Sequence, residues 1–559
     1  MNIIKKHNVS YKDIFGWLLI GIALVMLGNS IRLCFSRDIW YDELFTIGMI
    51  EHSYGELIGF TARDVHPSLY YCITKFVVDL CKLIYAQADG IMIAKAVSIM
   101  PYFLLLIYVL TFLRKRFGML VSGVFFFCII GMPQMSAYTV EVRMYSWALF
   151  FVTAAFLHAY EIVLAYHEEI PKALAHWIAL VLYGLAAAYT QYFACVAIVM
   201  VYLYVLAYFA ICYIAKKKNQ AKRNLRNWCV CVAACIIGYI PWLFALISQI
   251  TTVRENYWIL PLTWRNLGGC VKFLMKPSFS SEGLNVILAV LLFLLYVGLF
   301  GTFALCIRKN RKQSETERKV PNQQRNEKCD ETELVRKFWC AVAGCMVLCG
   351  LVAFGFIASI VIRPIFVYRY MIPALGCFWL GFAICLDALT NTAWQMPVHK
   401  EVQQIYIGKF CKVVQVCIVL FVVVVGIRNY RAFMGEEEYK IVLMEETETA
   451  LKQIAPEDIV IYNFDQLQAV VGYYVNCENY LWCDTPETLI VDMFGEKGSI
   501  EEKTQIKQWL DEGRKVWFLG SFNSREEICE DWATDGITTK EKGSYLLERY
   551  WFNIYEVSK

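Results

Sequence analysis

The segment after the first long apolar stretch combines acids, a histidine and aromatic side chains. It begins Asp38-Ile39-Trp40-Tyr41-Asp42-Glu43 and ends Asp64-Val65-His66-Pro67, and it follows the apolar residues 14–35. Charged groups beside a bilayer are costly and therefore need partners or a chemical purpose. A loop that only joins two helices has little use for this chemistry, so the segment indicates an active site at a membrane surface.

The composition is that of a polytopic membrane protein. Of the 559 residues, 58% are hydrophobic and 18% are charged, whereas soluble domains contain about 25% charged residues. Many apolar runs approach or exceed the roughly 20 residues that cross a bilayer as a helix. Residues 14–35 are longer than the apolar region of a signal peptide and lack a small-x-small cleavage site, so we expect a retained first span.

The charges are segregated along the chain. Residues 436–559 contain 26 acidic and 12 basic side chains, a net charge of −14. Because the whole chain has a formal net charge of +4, residues 1–435 carry +18, much of it in short loops. Basic loops stay on the cytoplasmic side of a membrane. The pattern therefore predicts basic cytoplasmic loops and an acidic extracytoplasmic tail.

Residues 67–86 decide the topology, because two interpretations are open. They are apolar enough to span, but they contain three charged side chains. If they crossed the membrane, the basic triplet at residues 114–116 would lie outside. If they form an amphipathic helix in the plane of the interface, the second span is residues 91–113 and the triplet lies inside. We favour the interfacial helix.

The remaining apolar runs then alternate consistently. Lys5, Lys6 and Lys12 precede the first span and place the N-terminus in the cytoplasm. The eleven predicted spans are residues 14–35, 91–113, 117–135, 145–166, 172–190, 193–215, 228–249, 284–306, 338–361, 367–390 and 409–428. We expect a multi-pass protein of the cell membrane, with a transmembrane module at residues 1–430 and a first extracytoplasmic loop at 36–90.

Residues 436–559 read as a small extracytoplasmic α/β domain. Residues 458–462 and 515–520 are typical of buried strands, residues 466–475 of a helix, and residues 544–557 of a closing hairpin or paired strands. This tail has no Gly-rich phosphate loop, which argues against a nucleotide site there. The predicted fold is an all-α polytopic bundle with a small C-terminal α/β domain.

The acids of the first loop suit proton transfer or cation binding. Adjacent helical residues point about 100° apart, so of Asp42 and Glu43 one can face a cavity while the other anchors the loop or binds a cation. Asp64 and His66 lie two residues apart, just before Pro67, which can open a helix. Spacing alone is explained equally well if these side chains are solvated in an ordinary loop.

The order of these motifs resembles a known family. Asp42-Glu43 after the first span, then Asp64-x-His66-Pro67, resembles the first extracytoplasmic loop of protein O-mannosyltransferases and of their bacterial relatives in the GT-C superfamily, including aminoarabinose and other lipid A glycosyltransferases. The resemblance continues with Pro133, Tyr138, Glu141, Arg143, Met144, Tyr145 and Ser146, with Tyr189-Thr190-Gln191-Tyr192-Phe193, Pro241-Trp242 and Tyr257-Trp258, and with Arg369-Tyr370 near Pro373. It covers residues 14–390. Gln191 departs from the pattern, since histidine is common at that corner.

The resemblance implies an inverting sugar transfer from a polyprenyl-phosphate donor. By the match, Asp42 is the base for the acceptor hydroxyl, and such a base contributes about 10²–10⁴ in rate. Glu43 and Asp64 would position the acceptor or hold a divalent cation, for which carboxylates favour Mg²⁺ or Mn²⁺. Arg143 and Arg369 would receive the leaving lipid phosphate. His66, Arg254 and Arg363 are weaker candidates for that role, and Glu141, Tyr145 and Tyr370 complete the predicted substrate-binding residues.

The sequence thus predicts a membrane hexosyl- or pentosyltransferase whose acceptor is an envelope glycan, lipid or protein. We expect membrane lipids around it and no nucleic acid partner. A protein O-mannosyltransferase is the alternative within the same fold. The alternative from another class is a transporter or flippase for lipid-linked glycans. A transporter should place charged groups near the midplane of repeated halves, whereas here the acids lie in one loop and no repeat is visible.

Overall fold

A helical bundle and a small mixed sheet make up the computed structural model. It describes residues 10–168, 173–216, 219–253, 259–317, 327–393, 401–495 and 498–559. Helices occupy the chain as far as residue 451, and a six-stranded sheet with its own helices follows. This is the all-α bundle with a small C-terminal α/β domain that the sequence predicted.

The helices of the bundle include all the predicted membrane segments. They are α1 (Tyr11–Ser30), α2 (Tyr41–Glu51), α3 (Tyr54–Arg63), α4 (Leu69–Ile84), α5 (Gly90–Tyr108), α6 (Arg114–Phe117), α7 (Met119–Gly131), α8 (Tyr145–Glu168), α9 (Ala173–Ala188), α10 (Tyr192–Lys216), α11 (Asn219–Val253), α12 (Arg265–Met275), α13 (Glu282–Glu317), α14 (Glu327–Val361), α15 (Ile372–Ala393) and α16 (Glu401–Leu451). Among the described residues, nine helical stretches are long and apolar enough to cross a membrane. The helices α7 and α9 are shorter apolar segments, and together these eleven match the predicted spans.

Two glycines bring α1 and α7 into backbone contact. A Cβ atom built at Gly16 would lie 2.2 Å from the carbonyl oxygen of Met119, and one built at Gly123 would lie 2.3 Å from that of Gly16. Side chains larger than hydrogen therefore cannot fit at this crossing. Small residues allow such close approach in membrane bundles, where contact between helices replaces the hydrophobic effect.

The centre of the bundle is formed by α8 and α15. In the most apolar 18-residue stretch of each helix, 94% of the residues are buried inside the protein. The helix α15 contacts α7, α8, α13, α14 and α16. A short 3₁₀ turn, Tyr368–Met371, leads directly into α15, and Tyr145 is the first residue of α8. Both of these buried helices therefore begin at the same end of the molecule as several predicted site residues.

The segment predicted to lie in the interface contains α4. This helix is not among the described segments long and apolar enough to span. Its Tyr70 and Tyr71 are fully buried, whereas Leu83 and Ile84 are exposed. An exposed apolar edge on a helix that also contacts the protein suits a position in the headgroup region.

The tail contains a mixed sheet with the strand order β3-β2-β1-β4-β6-β5. Its elements are β1 (Ile459–Tyr462), α17 (Asp465–Tyr474), β2 (Glu478–Trp482), α18 (Thr488–Phe494), β3 (Gly498–Ile500), α19 (Lys503–Asp511), β4 (Val516–Gly520), α20 (Ser524–Thr534), β5 (Thr538–Leu547) and β6 (Tyr550–Ser558). The first four strands in this order are parallel, and β6 and β5 are antiparallel additions.

The tail is docked onto the first loop of the bundle. Arg63 at the end of α3 forms an ion pair of 2.6 Å with Asp492 of α18. The imidazole Nε2 of His52 lies 2.9 Å from the carbonyl oxygen of Met493. Asp42 and Glu43 lie in α2, and Asp64 directly follows α3. These contacts therefore place the tail next to the acids of the first loop.

Candidate active site

Glu43 joins the first loop to the second. Its two carboxylate oxygens accept hydrogen bonds from the backbone N–H groups of Trp40 (3.1 Å) and Val142 (2.7 Å). The hydroxyl of Thr46, one turn later in α2, donates to the carbonyl of Val142 at 2.9 Å. Burial raises the pKa of Glu43 above its usual value, against the effect of Lys95 and these backbone bonds. Both oxygens of Glu43 therefore help to anchor the first loop, one of them to the second loop.

Asp42 points away from this anchor. Its Oδ2 lies 3.1 Å from Nη2 of Arg369, and the two side chains are 22% and 20% exposed. Its backbone carbonyl accepts a hydrogen bond of 2.7 Å from Nη1 of Arg143. The pair Asp42-Glu43 thus diverges on the helix as the sequence predicted, with one acid anchored and the other in contact with two arginines.

Several buried polar atoms around Asp42 have no hydrogen-bond partner in the described protein. They are Nδ1 of His66, the hydroxyls of Tyr71 and Tyr145, and Nε of Arg143 and of Arg369. Buried polar atoms are nearly always paired, and leaving one unpaired costs about 1–3 kcal/mol. Most of these atoms are donors, so their convergence indicates space for a ligand that supplies acceptor oxygens.

His66 and Tyr370 form one wall of this space. The two rings meet edge to face with centroids 6.4 Å apart, and Tyr370 stacks on Phe193 at 4.7 Å. Burial, together with the nearby Arg143 and Arg369, lowers the pKa of His66 well below its usual value. The imidazole is therefore neutral at physiological pH and is not a cation in this site.

Asp64 follows α3, and its carboxyl lies near the guanidinium of Arg143. Burial raises the pKa of its carboxyl to about 6, while Arg143 and the backbone N–H of Val65 oppose the rise, and Asp42 and Glu487 add to it. Glu487 belongs to the tail, so the docked domain contributes to the electrostatics of the first loop. Asp64 therefore changes its charge close to physiological pH.

A polar cavity of about 580 Å³ lies between the bundle and the tail, next to Arg369, the ion-pair partner of Asp42. Trp40, Tyr138, Glu141 and Arg369 contribute to its lining. Burial raises the pKa of Glu141 to about 8, with repulsion from Glu43 and opposing attraction from the nearby arginines. This carboxyl is therefore protonated at neutral pH and can donate a hydrogen bond into the cavity.

Comparison with known proteins supports the fold. No protein-family model matches the chain, and no curated protein matches it in sequence. Its structure is similar to that of ArnT from Cupriavidus metallidurans in the apo state, with 12% identity and a TM-score of 0.50 over 97% of this chain and 98% of that one. ArnT bound to undecaprenyl phosphate gives a TM-score of 0.51 at the same identity and coverage. The chain therefore shares the fold of ArnT.

The structural similarity to a second protein has a lower TM-score. The oligosaccharyltransferase AglB from Archaeoglobus fulgidus, in complex with an inhibitory peptide and a dolichol-phosphate, has 12% identity and a TM-score of 0.41. The similarity covers 90% of this chain and 69% of AglB.

Other predicted residues are outside this cluster or outside the described part of the chain. Arg254, Tyr257 and Trp258 are outside the described residues. Arg363 lies in the extended segment before the 3₁₀ turn that carries Arg369. Gln191 is buried and its side-chain atoms have no partner among the described residues.

A second charged cluster, which the sequence did not predict, lies beside the candidate site. Lys95 of α5 forms an ion pair of 3.0 Å with Asp38, and both side chains are buried. Lys440 of α16 lies 2.8 Å from Glu437 and 3.4 Å from Glu548 of the tail. Lys95 carried a usable signal, because it is the single charged residue of its predicted span and such residues are expensive in a membrane.

The three loop acids and a second group of carboxylates differ in how well they could hold a divalent cation. The predicted ligands Asp42, Glu43 and Asp64 do not form a group of carboxylates whose oxygens all lie within 4.8 Å of one another among the described residues. The carboxylates of Asp38, Glu437 and Glu548 come within 4.8 Å of one another and could hold an ion. Two lysines already offset most of their charge.

Proposed function

We propose that this protein is an inverting glycosyltransferase that uses a polyprenyl-phosphate-linked sugar. The observation that carries the proposal is the meeting of Asp42 with Arg143 and Arg369 among buried polar atoms that lack partners. An acid beside two guanidinium groups provides a base and a phosphate site in one place. The GT-C fold shared with ArnT agrees with this chemistry.

In the proposed reaction, Asp42 accepts the proton of the acceptor hydroxyl. The hydroxyl oxygen bonds to the anomeric carbon while the bond from that carbon to the phosphate oxygen breaks, so the configuration inverts. The lipid phosphate leaves with the electron pair of the broken bond. Arg143 and Arg369 stabilise its growing negative charge, because guanidinium groups match phosphate with paired donors. Asp64 and Glu141 would position the acceptor.

A polyprenyl tail has a suitable path next to the arginines. An apolar groove of about 710 Å³ between α12, α13 and α14 reaches Met371, two residues after Arg369. A lipid phosphate at Arg369 would place its chain at this groove. ArnT, with the same fold, has been crystallised with undecaprenyl phosphate, which is the donor carrier we propose here.

The proposed orientation puts the site on the extracytoplasmic face, with the N-terminus in the cytoplasm. This orientation rests on the positive-inside rule for the basic loops and on the acidic tail. The acceptor is then a component of the cell envelope. We assign no step of the reaction to a divalent cation; Mg²⁺ or Mn²⁺, if used, fits Asp38, Glu437 and Glu548 better than the three loop acids.

Replacing Asp42 with asparagine tests the proposed base. We expect Asp42→Asn to fold and insert normally but to lose about 10²–10⁴ in the rate of sugar transfer in vesicles. Asp79→Asn is the matched control, because Asp79 is an exposed acid of the same loop that forms an ion pair of 3.1 Å with Lys75. Full transfer by Asp42→Asn would exclude it as the base.

Mass spectrometry of envelope glycans, lipids and glycoproteins, with and without the protein, would identify the sugar and acceptor together. Mannose lost from proteins would favour the O-mannosyltransferase alternative. An unchanged set of glycans with a lipid-linked glycan trapped inside the cell would favour a flippase instead.

A further inference from the structure

The tail hairpin reaches into the active-site cavity. The strands β5 and β6 are joined by the two-residue turn Glu548-Arg549, and Leu547 pairs with Tyr550 on either side of it. Both turn residues line the cavity of about 580 Å³ that also contains Trp40 and Arg369. A domain that follows the bundle in sequence therefore supplies part of the wall of a cavity that is also lined by Arg369, the ion-pair partner of Asp42.

The backbone of the turn is costly, and Glu548 holds it in place. Glu548 has a φ of +53°, a conformation that glycine adopts freely but that is unfavourable for other L-residues by about 1–2 kcal/mol. Its buried carboxylate lies 3.4 Å from Nζ of Lys440 on α16. Strained positions of this kind persist where the surroundings fix them, and they concentrate at functional sites.

Arg549 is the group that this anchored turn presents. Its guanidinium stacks on the indole of Trp40, with its central carbon 3.7 Å from the ring centroid. The same indole has Arg369 at 5.6 Å. Among the described residues, Arg549 has no ion pair or hydrogen bond of its own, although the tail around it is strongly acidic. An oriented guanidinium with free donors beside a second arginine is a site for an oxyanion.

We propose that Arg549 of the tail binds an oxyanion group of the substrate, a phosphate or a carboxylate, in the cavity beside Asp42. The inference rests on the proposed sugar transfer and adds to it a residue from the C-terminal domain. Trp40 holds the guanidinium plane by stacking, and Glu548 positions the turn. The oxyanion belongs either to the donor lipid phosphate or to an acidic acceptor.

Protection of Arg549 from an arginine-selective dicarbonyl reagent tests the site without sugar transfer. The full-length protein in nanodiscs is treated with the reagent, and modification at each arginine is measured by mass spectrometry. We expect inorganic phosphate or undecaprenyl phosphate to protect Arg549 but not Arg514, a tail arginine paired with Glu478 at 2.5 Å. Protection by undecaprenyl phosphate alone indicates the donor; protection by inorganic phosphate after saturation with that lipid indicates the acceptor. Equal reactivity with and without both ligands would overturn the proposal.

Kinetics of substituted proteins give the second measurement. Arg549→Ala should lower kcat/KM by about 10- to 100-fold, mainly through KM, with unchanged thermal unfolding, because a charge-assisted hydrogen bond contributes on this scale. Arg549→Lys should retain part of the activity, and Arg514→Ala should retain all of it. Guanidinium ions added to Arg549→Ala should restore transfer, which a purely structural role would not allow.

Different results would contradict the proposed sugar transfer and the proposed role of Arg549. Wild-type protein that neither binds undecaprenyl phosphate nor transfers sugar contradicts the proposed function, while protection of Arg549 by inorganic phosphate still supports the oxyanion site. Normal transfer by Arg549→Ala, together with unprotected Arg549, contradicts only the role of the tail.

Discussion

Asp42 and Glu43 are neighbours in sequence, but their carboxylates make different contacts in the structure. Their adjacency predicts that the two carboxylates diverge, but it does not tell which one anchors the loop. The backbone N–H of Val142, almost a hundred residues away, takes Glu43 as its acceptor. Asp42 is left facing Arg369. The choice between base and anchor is therefore made by a contact between two loops.

Asp64 gives a pH dependence at the residue scale. Burial raises its pKa to about 6, so its ionised fraction, and with it acceptor positioning, should rise as the pH increases from 5 to 7. We expect kcat/KM to increase about tenfold per pH unit well below pH 6 and to level off above it, as a single ionisation requires. Initial rates of sugar transfer between pH 4.5 and 8 would measure this limb.

Substitution of Asp64 identifies the ionising group. Asp64→Asn should have a lower plateau and should lose the acid limb with its midpoint near pH 6. If the same limb persists in Asp64→Asn, another group controls the profile, and the proposed positioning role of Asp64 is wrong.

At the scale of secondary-structure elements, the crossing of α1 and α7 depends on how closely the two helices can pack. Sequence predicts both helices from their apolar runs, but the contact depends on the absence of a side chain at Gly16. Gly21 lies on the same helix and a Cβ there would meet nothing within 4 Å. The two glycines look alike in sequence, and only the packing distinguishes them.

Valine at these two positions provides a matched test. Gly16→Val should sharply reduce the yield of folded protein, because its Cβ collides with the backbone of Met119, which cannot move aside as a side chain can. Gly21→Val should be tolerated, since it faces open space. Fluorescence-detected size-exclusion chromatography of both variants measures this difference. Equal yields would show that α1 and α7 do not approach as closely as described.

The candidate site is assembled at the scale of the whole molecule. Its residues come from the first loop (Asp42), the second loop (Arg143), the entry to α15 (Arg369) and the tail (Arg549). The helices α8 and α15, which are almost wholly buried in the bundle, fix the second and third of these. Loss of tail docking should therefore disturb the site even though the tail contains none of the family motifs.

The proposed topology can be checked on the whole protein in its membrane. Asp79→Cys on the exposed face of α4 should react with an impermeant maleimide from outside, above the background of the native cysteines. Lys115→Cys should react only after the membrane is permeabilised, because the basic triplet lies inside. Labelling of Lys115→Cys in intact cells would contradict the interfacial assignment of residues 67–86 and the number of spans.

The sequence by itself determined the class of fold and the loop acids. Apolar length and composition give the spans, because a membrane requires about 20 apolar residues for each crossing. Motif order pointed to Asp42, Arg143 and Arg369, which the structure brings together.

Only the tertiary structure decided which acid is anchored and how the tail enters the site. Arg549, Glu548 and Lys440 meet Trp40 and Asp38 through contacts between segments hundreds of residues apart. Local sequence carries no signal for such contacts, since a charged residue in a charged tail looks the same whether it faces solvent or a cavity. Burial and the partners that each group finds on folding set its chemistry.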